Sequence, residues 1–143
     1  MFSSRPKKVT PPPKISKRIL VVDDEPFVGQ AVRMVLTFDG YEVKAANGGA
    51  EALASLEQEH FDLVITDYSM PGMKGDELAV NIKARWPRMP VIMLSAYAEN
   101  IRASKNPLPG VNALINKPFD LADFRSAVSG AIAGKDTPPP AGQ

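Results

Sequence analysis

The sequence predicts an α/β fold: one doubly wound sheet of five parallel strands, order 2-1-3-4-5, with five helices on its two faces. Three observations carry this. Short apolar runs rich in β-branched residues recur along the chain, near 18–22, 41–45, 62–66, 90–94 and 111–116, and such runs bounded by turn residues read as buried strands. Between them lie stretches whose apolar residues recur at helical spacing. Each connection is long enough for a right-handed crossover, and continuously apolar strands alternating with helices read as a parallel sheet covered on both faces. The order 2-1-3-4-5 is one of the common doubly wound arrangements.

The chain has 143 residues, enough for one domain with a real core. It has no cysteine, which excludes disulfides and thiolate chemistry. No apolar run approaches the roughly 18–20 residues of a membrane span, and the first residues lack a secretory apolar region. A soluble, cytoplasmic protein is expected, with no membrane contact. Of the 17 cations, six (Arg5, Lys7, Lys8, Lys14, Lys17, Arg18) precede residue 19 with no acid among them, which leaves 11 against all 16 acids. Residues 1–16 are basic and proline-rich and are expected to be a disordered or polyproline-like leader. Residues 17–133 are the expected domain, and 134–143, with Pro138, Pro139 and Pro140, a second disordered tail.

The first strand, 18–22, runs into Asp23-Asp24-Glu25-Pro26. Asp24 or Glu25 suits a helix N-cap and Pro26 its first turn. Val28, Ala31, Val32, Val35 and Leu36 then give one apolar face, and Asp39-Gly40 ends the helix. After strand 41–45, Asn47 is expected to cap a helix that turns Ala50, Leu53 and Leu56 inward. His60 is expected in an exposed loop without an acid-base partner. Strand 62–66 ends at Asp67, and the turn Met70-Pro71-Gly72 follows. A helix over about 76–86 carries Leu78 and Ile82 and closes at Pro87. Strand 90–94 ends at Ser95-Ala96. The segment 98–106 predicts a short helix, stopped by Pro107 and Pro109. Strand 111–116 ends at Lys117-Pro118, and Asp120 caps a last helix with Leu121, Phe124, Val128 and Ile132 on one face.

In this order, strands 1, 3, 4 and 5 lie side by side, and ligands bind at their carboxyl ends. Those ends carry Asp23-Asp24, Asp67, Ser95 and Lys117. Crowded carboxylates raise one another's pKa and need a cation. A hard divalent ion suits an oxygen-only ligand set. An acceptor carboxylate, a metal, an ammonium and a hydroxyl together are equipment for phosphoryl transfer to an aspartate, where catalysis rests on positioning and charge neutralisation.

Asp23-Asp24, Asp67 with Met70-Pro71-Gly72, Ser95-Ala96 and Lys117-Pro118-Phe119 resemble, in order and spacing, the receiver domain of bacterial two-component response regulators, a CheY-like, flavodoxin-like fold. The resemblance implies that Asp67 accepts a phosphoryl group from a sensor histidine kinase or a histidine phosphotransfer protein. It implies Mg²⁺ bound by Asp24, Asp67 and the backbone carbonyl of Ser69, with Asp23 acting through water. Lys117 would pair with phosphoryl oxygens, Ser95 would turn toward them, and the Pro118 peptide would be cis. The surface of helix 4, strand 5 and helix 5 would then change its binding of a downstream protein target, or support a homodimer. Such a domain is a phosphoacceptor rather than a turnover enzyme.

Two departures bear on output. The family usually carries Tyr or Phe three positions before the lysine, and here Leu114 stands there; Pro107 and Pro109 shorten helix 4. Ser69 and Tyr97 flank the site and are expected to tune water access. One competing reading is an interaction module that keeps the site without being phosphorylated. Another is an aspartyl-phosphate phosphatase, which typically wants a second acid where Ser69 stands. No zinc ligand set or recognition helix follows the last helix, so direct nucleic-acid binding is not expected.

Overall fold

The computed structural model describes residues 16–103 and 108–136. The expected leader (except Ser16), residues 104–107 with Pro107, and 137–143 of the expected tail lie outside the described residues. Five strands, β1 (Arg18–Val22), β2 (Glu42–Ala46), β3 (Leu63–Asp67), β4 (Val91–Ser95) and β5 (Ala113–Asn116), form one parallel sheet in the order β2-β1-β3-β4-β5. Register is set by pairs such as Val21↔Ala45, Val21↔Ile65, Ile65↔Ile92 and Ile92↔Ala113. Four helices of 10 to 16 residues cover the sheet: α1 (Pro26–Phe38), α2 (Gly49–Gln58), α3 (Gly75–Arg85) and α5 (Leu121–Asp136). Between β4 and β5, α4 (Ala98–Ala103) is only six residues long. Among the described residues no helix is long and apolar enough to cross a membrane.

Strand alternation divides the core in two. Ile19, Val21, Leu63, Ile65, Ile92 and Leu94 meet Val32 and Leu36 of α1 and Phe124, Val128 and Ile132 of α5. Leu20, Val22, Val64 and Val91 meet Ala52 and Leu56 of α2 and Leu78, Ala79 and Ile82 of α3. Every residue of β3 and β4 is buried, because helices cover both faces there. The edge strand β5 is half-buried throughout.

Several expectations need correction. Asn47 does not cap α2. Gly48 holds the N-cap position without a side-chain bond, and the Asn47 backbone N–H instead donates to Glu51 Oε1 at 3.0 Å. Ala50 is exposed; the buried residues are Gly49, Ala52, Ser55 and Leu56. Gly49 takes the inward place because the Met73 side chain lies against it, 3.0 Å from Met73 Cβ to where its own Cβ would stand. Ala31 likewise points outward beside the buried Val32. Glu25 is the N-cap of α1 but makes no capping bond; its N–H donates to Asp23 Oδ1 at 2.7 Å. His60 is exposed as expected, yet its Nε2 lies 3.2 Å from Asp62 Oδ1, so a partner sits two residues on. Asp120 does cap α5, accepting from the N–H of Ala122 (2.8 Å) and of Asp123 (3.1 Å). Among the described residues that helix spans Leu121–Asp136.

Candidate functional site

The site forms where β1, β3, β4 and β5 end. Asp67 is the last residue of β3 and is 4% exposed. The Asp23 N–H donates to the Ala46 carbonyl at 3.0 Å, which extends β1 by one residue and fixes where the acidic pair begins. One carboxylate oxygen from each of Asp23, Asp24 and Asp67 comes within 4.8 Å of the others. Lys117 N–H donates to the Ser95 carbonyl at 2.9 Å, carrying β5 one residue further. From there the Lys117 ammonium donates to Asp67 Oδ1 at 2.5 Å. The following Lys117–Pro118 peptide is cis. Phe119 stacks on Phe124 of the α5 core, ring centres 4.7 Å apart, and so anchors the far side of that turn.

Ser95 is buried and ends β4. Asp67 pairs with Leu94 in register, so Ser95 stands one residue beyond it on the neighbouring strand. Its Oγ accepts the Tyr97 N–H at 2.9 Å, a local turn that fixes the hydroxyl at the sheet edge. Tyr97 itself is 61% exposed and adds nothing to the core. Ser69 is exposed in the loop after β3, and Met70 beside it is buried as packing. That loop is pinned at both ends: the Tyr68 N–H donates to the Leu94 carbonyl and the Gly75 N–H to the Tyr68 carbonyl, each at 2.9 Å.

The acids repel as their crowding demands. Burial pushes the Asp23 carboxyl above its usual range, the charges of Asp67 and Asp24 push it the same way, and the Glu25 N–H and the Lys117 ammonium oppose them. Three carboxylates against one ammonium leave the pocket with an excess of negative charge. An oxygen-only set with two buried members and one exposed one, Asp24, fits a small hard cation that keeps some of its water.

Sequence reasoning missed Gly75. A Cβ there would fall on the Asp67 carbonyl oxygen and 2.9 Å from Tyr68 Cα, so the first turn of α3 rests on the backbone at the end of β3. The signal was a glycine at a helix start rather than at a helix end, the less usual place for it. Thr66 was also unremarked; its buried Oγ1 donates to the Asp67 carbonyl at 2.9 Å.

Residues 19–129 match the response regulator receiver domain. The chain belongs to that family. Among its relatives, this receiver domain is 37% identical over 114 residues to the transcriptional regulatory protein GlrR of Escherichia coli K12, covering 80% of this chain and 26% of that protein. It is 36% identical over 111 residues to the chemotaxis protein CheY-3 of Vibrio cholerae, covering 76% of this chain and 85% of that one. It thus spans about a quarter of the first relative and most of the second. The receiver domain also superposes on a CheY-like receiver protein of Methanospirillum hungatei with a TM-score of 0.75 at 35% identity, covering 85% and 97% of the two chains. A response regulator of Thermotoga maritima, TrrA, crystallised with Mg²⁺ and beryllofluoride, gives 0.70 at 32% identity over 80% and 98%.

Proposed function

We propose that this receiver domain is the phosphoacceptor of a two-component relay, with Asp67 as the acceptor. The observation that carries the reading is the Lys117 ammonium on Asp67 Oδ1, at 2.5 Å, within a trio of carboxylates. An Asp67 oxygen attacks the phosphorus of a phosphohistidine, on a sensor kinase or a phosphotransfer protein. The P–N bond breaks, and the imidazole leaves with its electron pair. The Lys117 ammonium transfers its hydrogen bond from the carboxylate to a phosphoryl oxygen, and Ser95 supplies a hydroxyl donor. Asp24, Asp67 and the Ser69 carbonyl would hold Mg²⁺, with Asp23 reached through water. The ion supplies neutralisation of the charge on the carboxylates and the phosphoryl oxygens. Support comes from the acid trio here and from the relative crystallised with Mg²⁺ and beryllofluoride.

Phosphorylation adds charge and acceptor oxygens at the ends of β4 and β5. Ser95 and Lys117 follow it, and the α4–β5–α5 surface changes its affinity for a downstream protein target or a second copy. Leu114, half-buried on β5, has no ring to reorient, so the output differs from one built on an aromatic switch. The domain accepts and loses a phosphoryl group without steady turnover of a substrate; Ser69 offers no carboxylate for phosphatase chemistry. Incubation with acetyl phosphate should label the protein only when Mg²⁺ is present and only when Asp67 is intact. Labelling that persists in Asp67→Asn would remove Asp67 from the role. Absence of labelling in the wild type would leave an interaction module in its place.

A further inference from the structure

Near the end of α3, Lys83 is half-buried and lies against the turn that leads into β5. A Cβ at Gly110 would stand 2.8 Å from the Ala79 carbonyl oxygen and 2.9 Å from Lys83 Cγ, so a glycine there lets the turn close on the lysine stem. The Lys83 ammonium donates to Asn112 Oδ1 at 3.0 Å. The same oxygen accepts the Val91 N–H at 2.9 Å, and the Asn112 N–H donates to the Val91 carbonyl at 2.8 Å. A backbone N–H can only donate, so it fixes the Asn112 atom that faces both groups as the amide oxygen. Lys83 thus has a neutral acceptor where Lys44 and Lys117 have carboxylates. Among the described residues no carboxylate pairs with it; Glu57 of α2 is held by Arg85 at 2.5 Å. With no acid to support its charge, burial pushes the Lys83 amine below its usual range.

We propose that Lys83 is a site of Nε-acylation by small acyl phosphates, with Asn112 as the residue that positions the amine. A lysine is a nucleophile only in its neutral form, and partial burial beside an uncharged partner favours that form. Asn112 takes one N–H and holds the nitrogen at the protein surface, where their hydrogen bond is exposed. The lysine stem is covered by the Gly110 turn, which suits a compact donor. The nitrogen lone pair attacks the acyl carbon and the C–N bond forms. The C–O bond to phosphate breaks, inorganic phosphate leaves with that electron pair, and the nitrogen gives up a proton to solvent. The product amide keeps one N–H, enough for Asn112 Oδ1, so the turn before β5 stays closed on the modified side chain. The reaction uses neither Asp67 nor a metal ion, and it stands apart from the phosphoacceptor reading.

The test incubates the full chain with acetyl phosphate in the presence of chelator and follows acetylation lysine by lysine, by mass spectrometry after proteolysis. Because the signal is read at lysines, labelling of Asp67 does not enter it. Lys74, exposed at the start of α3, is the internal reference. Lys83 should be acetylated faster than Lys74, by about threefold. Asn112→Asp keeps an acceptor oxygen for both Val91 and Lys83 but adds a negative charge beside the amine. It should slow acetylation of Lys83 about tenfold and leave the rate at Lys74 unchanged. Circular dichroism checks that this variant is folded; if it is not, the comparison of Lys83 with Lys74 in the wild type decides alone. Acetylation of Lys83 no faster than that of Lys74 overturns the inference. So does a Lys83 rate that the folded Asn112→Asp variant leaves unchanged.

Discussion

Replacing Lys117 by alanine strands Asp67 in a buried place beside two other acids. At 2.5 Å, and an effective dielectric of about 20, the lost attraction is about 7 kcal/mol before solvation is counted. Breaking a buried pair by removing one partner costs about 3–5 kcal/mol net. The Lys117 side chain is 20% exposed against 4% for Asp67, so water softens one end, and about 3 kcal/mol is the expected loss. With a urea slope of about 2 kcal/mol/M, the unfolding midpoint should fall by about 1.5 M in metal-free buffer. Adding Mg²⁺ at ten times its dissociation constant contributes about 1.4 kcal/mol. It should recover more in the variant than in the wild type, because the variant's pocket carries one more uncompensated charge. The double variant Lys117→Ala/Asp67→Asn should be more stable than Lys117→Ala alone by about 1–2 kcal/mol, since it leaves no unpaired buried carboxylate at that position. Urea melts followed by circular dichroism, with chelator and with Mg²⁺, read all of these. A metal-free midpoint unmoved by Lys117→Ala, or a double variant no better than the single, would show that the ammonium does not balance the acids.

Two further outcomes follow from the same site. The Asp23 carboxyl is held above its usual range by burial and by its acidic neighbours, so its charged form opposes folding. The stability linked to its protonation is fully present below the unfolded value of about 3.9 and is lost as pH rises through the raised folded value. Asp23→Asn should therefore raise the urea midpoint at neutral pH without metal, and that advantage should vanish below about pH 4; an equal gain at both ends of the range would assign it to something other than charge. Gly75→Ala must push its Cβ away from the backbone of Asp67 and Tyr68, at a cost of about 1–3 kcal/mol. It should also slow acetyl phosphate labelling while leaving the chemistry of every site side chain in place. Wild-type stability and labelling would mean that α3 shifts freely.

The acids, the hydroxyl and the ammonium were legible because each follows an apolar run that could only be a strand. Asp67 after Leu63-Val64-Ile65 and Lys117 after Leu114-Ile115 are clear cases. Once the order 2-1-3-4-5 is assumed, those ends must converge. What escaped was anything decided by contact between distant segments. Gly48-Gly49-Ala50 carries no phase information, since none of the three has a side chain large enough to mark a face. Met73, 24 residues further on from Gly49, sets the phase of α2 by lying against it. The role of Gly75 depends in the same way on where the end of β3 passes.

The two halves of the ion pair at the centre of the site are mounted on supports of different firmness. Asp67 projects from a strand flanked by neighbours on both sides and sealed above and below. Lys117 hangs from the sheet's margin, where β5 has one hydrogen-bonded neighbour and no fully buried residue. Fraying of that margin requires far less energy than opening the centre. A brief detachment of β5 would therefore withdraw the cation while the acids stay where they are, leaving the Asp67 carboxylate open to solvent.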